Sequence, residues 1–125
     1  MDETREPTLR VTMLPRDTNA RGTIFGGVIL SHIDLAGALA AARCAPKNFV
    51  TRAMREVGFI APVYVGDLVS FYTSVLHEGK TSVTIQIEVE AERSKEPGKR
   101  VRVTEAQVVY VAVDDSGKPI SIRSS

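Results

Sequence analysis

Residues 27–43 constrain this chain more than any other segment. They read as its one long helix, nearly apolar all round and rich in small residues: Ala36, Gly37, Ala38, Ala40, Ala41 and Ala42. A helix without a polar face has to be enclosed. Small side chains let other backbones approach it closely, and Pro46 lies just past its end, where a helix stops readily.

Around that segment the apolar period is two. Residues 9–13 alternate and predict a short strand ahead of the helix. Residues 49–60, 68–76, 83–92 and 101–113 predict four more strands. Val65-Gly66-Asp67, Glu78-Gly79-Lys80 and Pro97-Gly98 mark the turns between the last of them. Val83, Ile85, Ile87, Val89 and Ala91 alternate with Thr84, Gln86, Glu88, Glu90 and Glu92, as a strand with one wet face does. Short turns make antiparallel neighbours. A lone helix among such strands predicts an α+β domain, a curled antiparallel sheet of about five strands wrapped around one central helix. Such a sheet keeps its edges and leaves part of the helix uncovered. Exposed edges pair with other chains, so a two-fold dimer is expected. Residues 1–125 form a single domain in this reading, with 1–7 and 115–125 as flexible tails.

Charge narrows the partners. The net charge of +1 gives no field for nucleic acid or an anionic membrane. Any bound anion needs a local basic cluster. No uninterrupted apolar stretch reaches the length of a membrane span. Cys44 is the single cysteine, so it makes no internal disulfide, and no metal-ligand spacing surrounds it. The N-terminal residues are charged and lack an apolar leader core. The cytoplasm is therefore the expected compartment, and no metal is expected.

Four features could carry chemistry. Asp34 sits mid-helix between Ile33 and Leu35, where an unpaired carboxylate is costly. It is either a structural acceptor or a functional group. Gly26-Gly27 stands where a loop enters the helix. Bare N–H groups there can form an oxyanion hole, or the pair only permits a tight turn. Asn19 suits an Asx-turn. Lys80, Arg100 and Arg102 are either phosphate contacts or a solvated basic rim. His32 lies two residues from Asp34, so the two do not share a helix face. It reads as packing or solvent-facing, His77 as exposed and Cys44 as inert.

The spaced pattern Pro15-x-Asp17-Thr18-Asn19-x-x-Gly22-x-x-Phe25-Gly26-Gly27, with Asp34 seven residues on, resembles the acyl-CoA thioesterases of the hotdog superfamily. Phe59-x-x-Pro62-x-x-x-Gly66-Asp67, Gly79-Lys80-Thr81-Ser82-Val83, Thr104-Glu105-Ala106 and Tyr110 to Asp114 extend the likeness over nearly the whole chain. It implies a hotdog fold and hydrolysis of acyl-coenzyme A to free acid and coenzyme A. It implies Asp34 as the catalytic acid, Asn19 as the loop asparagine, and Gly26 and Gly27 as the helix-entry glycines. Coenzyme A is then part of the substrate, with Lys80, Thr81, Ser82, Arg100 and Arg102 near its nucleotide. No metal or redox cofactor is implied, and dimers stacked into hexamers (trimers of dimers) are expected. Val28 departs from the pattern, standing where many relatives carry a bulky aromatic, so the depth of the acyl pocket is open.

Helix geometry adds a constraint. Gly27 and Asp34 share a face but lie about 10 Å apart along the axis. Both must approach one reacting carbonyl. Asn19 and Gly27 of one subunit are therefore expected to meet Asp34 of the other. Two rivals remain in the sequence: a hydratase or dehydratase on acyl thioesters, which needs a histidine paired with the carboxylate, and a non-catalytic acyl-CoA binding module.

Overall fold

The structure, a computed structural model, describes residues 5–123. In chain order it contains β1 (Leu9–Thr12), a short 3-10 turn (Pro15–Asp17), α1 (Gly26–Cys44), β2 (Asn48–Phe59), β3 (Leu68–Glu78), β4 (Ser82–Glu92) and β5 (Arg100–Val113). The five strands form one sheet in the order β1-β3-β4-β5-β2. Every neighbouring pair is antiparallel. The expected elements are all present, with ends shifted by one or two residues.

α1 lies across the concave face and packs against β2, β3, β4 and β5. Ile29, Ile33, Ala36, Gly37, Ala40 and Ala41 are buried at the spacing of one helix face. Facing them, Val83, Ile85, Ile87, Val89 and Ala91 of β4 and Ala106, Val108, Tyr110 and Ala112 of β5 are fully buried. The opposite face of the helix is uncovered: Leu35 is 49% and Leu39 40% exposed. One chain thus encloses only half of its apolar helix. The length and hydropathy of α1 would also suit a membrane crossing, but here its buried face is the floor of the core.

β2 is an edge strand. Its register against β5 shifts between Thr51 and Ala53 and again between Arg55 and Gly58. Glu56, in the second bulge, has a φ of 54°. Bulges bend and twist an edge.

Two expectations are corrected. Glu90, read as solvent-facing, is 5% exposed. Arg10, Ser70, Tyr72 and Arg100 surround it on the outer sheet face, and Arg10 Nε donates to Ser70 Oγ at 2.9 Å. Residues 115–123 are no loose tail. Asp114 Oδ1 accepts from Ser116 and Lys118, Ile122 is 2% exposed in the core, and its N–H donates to Lys80 at 2.8 Å. Isoleucines alternating after a turn dock a segment as a strand would. At the other end, Arg5 lies over the Tyr72 ring at 4.2 Å, while residues 1–4 and 124–125 of the expected tails fall outside the described residues.

Candidate active site

The helix entry is built by a folded-back loop. Phe25 N–H donates to Asp17 O and Ile24 N–H to Val63 O, both at 2.8 Å. No side chain caps α1; Val28 N–H turns back to Phe25 O at 3.0 Å, which leaves the Gly26 and Gly27 N–H groups for solvent or ligand. The Phe25 ring lies over Gly27, where an added Cβ would come within 2.7 Å of it. The Phe59 ring lies 3.4 Å from the corresponding position on Gly26. The two glycines therefore give a bare backbone flanked by two aromatic rings.

Asn19 is committed to its own loop. Its Oδ1 accepts from Arg21 N–H at 2.8 Å and Thr23 N–H at 3.3 Å, and its Nδ2 donates to Thr23 Oγ1 at 2.9 Å. This is the Asx-type role. An amide nitrogen carries two hydrogens, so one remains for a ligand.

Asp34 stands on the border between the buried and uncovered faces of α1, and two side chains absent from the sequence-derived site hold it. Thr51 Oγ1, from β2, donates to Asp34 Oδ1 at 2.7 Å. The Tyr110 hydroxyl, from β5, lies 2.7 Å from the Asp34 carbonyl oxygen and 3.2 Å from Oδ1. One phenol proton serves both oxygens, with the shorter contact dominant. Burial, and then the Asp34 charge, push the Tyr110 phenol far above its ordinary value, so it stays a neutral donor. Gly37 makes room for it, since a Cβ there would lie 2.1 Å from the hydroxyl. Among the described residues no bond is made to Asp34 Oδ2, which is left for a water or a ligand.

His32 does not reach this carboxylate. Its Nδ1 lies 2.8 Å from Val28 O, and its ring stacks on Phe71 at 5.8 Å. That removes the histidine a hydratase needs. His77 is exposed near the end of β3. Cys44 donates to Ala40 O at 3.5 Å, and burial first, then Glu78, raise its thiol. It is a poor nucleophile. Among the described residues no three His, Cys, Asp or Glu side chains gather.

The basic residues divide into two groups. Lys80, Thr81 and Ser82 form the β3–β4 turn, beside the end of α1. Arg100 and Arg102 open β5, at the far end of β4. Ser82 and Glu92 bound β4, so the groups are about 33 Å apart at strand rise. One protomer cannot bring them to one phosphate. Arg102 pairs with Glu88, and Arg100 Nε lies 3.9 Å from Glu92.

Comparison with known proteins fits this arrangement. The sequence model of the thioesterase superfamily matches residues 21–97. The acyl-CoA thioester hydrolase YciA of Salmonella typhimurium is 44% identical over 116 residues, 91% of this chain and 87% of that protein. YciA of Escherichia coli is 45% identical over 113 residues, covering 89% and 86%. A hexameric hotdog-fold thioesterase of Campylobacter jejuni superposes with a TM-score of 0.90 at 44% identity, covering 98% of this chain and 93% of its own.

Proposed function

Because this chain belongs to the thioesterase superfamily, we propose that it is an acyl-CoA thioester hydrolase releasing a free acid and coenzyme A. The observation that carries the reading is the Asp34 carboxylate: Oδ1 is held by Thr51 and Tyr110, and Oδ2 has no partner among the described residues. In this proposal Asp34 removes a proton from water, the hydroxide adds to the thioester carbonyl, and the C–S bond breaks. Asp34 then returns the proton to the departing thiolate. The Gly27 N–H, with Gly26 keeping the backbone bare, stabilises the oxyanion. The uncommitted Asn19 amide hydrogen orients the carbonyl or the water. The same carboxylate could instead attack directly and form an anhydride. Label in Asp34 after a single turnover in 18O-water identifies an anhydride hydrolysed at the aspartyl carbonyl, since the general-base route puts the water oxygen only in the product acid.

The site is completed by a second copy. β2 is an unpaired edge, and beside it Leu35, Leu39, Val50 and Val57 are exposed. Pairing β2 with its own copy in antiparallel fashion would cover both. Thr51 marks Asp34, and Phe59 marks the helix entry. A two-fold axis near Arg55 sets Thr51 of one chain against Phe59 of the other. Asp34 of one protomer then faces Gly27 and Asn19 of its partner. The same operation brings Lys80, Thr81 and Ser82 of one protomer toward Arg100 and Arg102 of the other, so both basic groups can serve one coenzyme A. Hexamers recur among the structural neighbours, and a trimer of such dimers is the proposed assembly. The proposed chemistry uses no metal or redox cofactor. A cytoplasmic location belongs to the same proposal, supported by the lone thiol and a coenzyme A substrate.

Thiol release from acetyl-, hexanoyl- and palmitoyl-CoA tests the function. Wild-type protein should turn over at least one of them, and Asp34→Asn should lose about 100-fold or more in kcat, within the range of general-base loss. Near-wild-type turnover in the variant removes the mechanism.

A further inference from the structure

The turn between β3 and β4 is tied down from outside its own hairpin. Lys80 and Thr81 form its tip, and Gly79 N–H closes it by donating to Ser82 O at 2.7 Å. A hairpin tip usually lies free at the surface. Here the Lys80 carbonyl accepts from Ile122 N–H and the Thr81 carbonyl from Ala112 N–H, both at 2.8 Å. Ile122 is itself anchored in the core, at 2% exposure. One residue on, Arg123 reaches the root of the same turn. Its Nε and Nη2 each donate to the Glu78 carboxylate at 2.7 Å, and its Nη1 donates to Cys44 O at 2.9 Å, at the end of α1. Residues 122 and 123 thus join the end of the helix, the end of β3 and the tip of the turn. A trans peptide is planar, with its C=O and N–H on opposite sides. Holding Lys80 O toward Ile122 therefore aims Thr81 N–H away from that segment. The same short turn carries the Lys80 ammonium and the Thr81 and Ser82 hydroxyls, a donor set suited to phosphate.

We infer that residues 122–123 are a strap that sets the β3–β4 turn for the phosphates of coenzyme A, with Arg123 a positioning residue for nucleotide binding. This rests on the thioesterase reading and adds to it a residue that acts through the turn, by way of Glu78. The fold does not depend on Arg123: its side chain is 65% exposed, and an exposed ion pair adds little to stability. Ile122 supplies the burial. Nor does Arg123 bear on the carboxylate, since Cys44 lies ten residues beyond Asp34, about 15 Å along the helix axis. What remains is the turn. A turn already held in its binding geometry loses less freedom when the ligand arrives, so Arg123 lowers the KM of substrates that carry the nucleotide and leaves bond cleavage unchanged.

The test compares an acyl-CoA that wild type turns over with the matching acyl-pantetheine, which has the same thioester but no nucleotide and no phosphate. Arg123→Ala should raise KM for the acyl-CoA about 3- to 10-fold, the size of one hydrogen bond, with kcat retained. Its kcat/KM for the acyl-pantetheine should stay at the wild-type value, and Arg123→Lys should recover part of the loss. Glu78→Gln, which keeps the shape of the acceptor and removes its charge, should show the same pattern and serves if Arg123→Ala does not fold. In a Lys80→Ala background the effect of Arg123→Ala should shrink, because both act on one turn. An unchanged KM for the acyl-CoA, equal losses on both substrates, or the full effect in the Lys80→Ala background overturns the inference while leaving the thioesterase reading intact. Failure of wild type to release thiol from any acyl-CoA overturns both.

Discussion

The Tyr110 hydroxyl lies 2.7 Å from the backbone carbonyl of Asp34 and 3.2 Å from its carboxylate, so one phenol ties the Asp34 turn of the helix to the last strand. Burial and the neighbouring carboxylate raise the Tyr110 pKa. The sign follows directly. Below the unfolded tyrosine value, about 10, both states keep the proton and this contribution to stability is complete. Above it the unfolded chain ionises first, and stability is lost as pH rises. Denaturant midpoints of wild type minus Tyr110→Phe should therefore be flat from pH 7 to about 9 and decline beyond about 10. A difference that stays flat to pH 11 contradicts the neutral, buried donor.

Gly37 is the vacancy that admits this phenol. A Cβ there would come within 2.1 Å of the hydroxyl and 2.8 Å of the ring carbon bearing it. Overpacking of this kind costs about 1–3 kcal/mol. Gly37→Ala should be destabilised by that amount and lose activity with it. The double variant with Tyr110→Phe should lose less than the sum of the single losses, because the closest clash is gone and the sites share one contact. Strict additivity in a double-mutant cycle argues against the coupling.

Thr51 donates to Asp34 at 2.7 Å. A hydrogen bond to a charged group is worth about 1.5–3 kcal/mol. Thr51→Ala should lower kcat by about 10- to 100-fold, the same energy expressed as a rate, and Thr51→Ser should recover most of it. Steady-state kinetics on one acyl-CoA decide this; full activity in Thr51→Ala leaves the bond without a catalytic role.

Asp67 is 2% exposed. Its Oδ2 accepts from Arg93 Nη1 and from Tyr64 N–H, which fixes the segment that pairs with Ile24 just before the helix. Asp67→Ala leaves the mostly buried Arg93 guanidinium without its carboxylate, with only the Pro62 carbonyl and the Tyr64 ring beside it, and removing one member of a buried pair costs about 3–5 kcal/mol. Urea unfolding should show a loss near that range, and one under 1 kcal/mol places the pair among ordinary surface bridges.

The fold was legible because its signals are local. One apolar helix, period-two strands and turn residues sufficed to outline a curled sheet, and Asp34 drew notice as a charge in an apolar run. Its partners were not visible, because Thr51 and Tyr110 are 17 and 76 residues away and read as ordinary strand positions. Gly37 passed as one more small residue. The basic residues were grouped by charge, and only the strand order places Lys80 and Arg100 at opposite ends of β4. Glu90 was misjudged because alternation shows which face a side chain takes, not whether arginines cover that face.

Subunit complementation tests the shared site most directly. Asn19→Ala and Asp34→Ala are prepared separately, mixed in equal amounts, and assayed for thiol release once subunit exchange is confirmed by mass. With each site drawn from both protomers of a two-fold dimer, half the dimers are mixed and each has one intact site, so activity should approach about a quarter of wild type. Activity that stays at the sum of the two inactive parents contradicts a thioester held by one protomer and cleaved by Asp34 of the other.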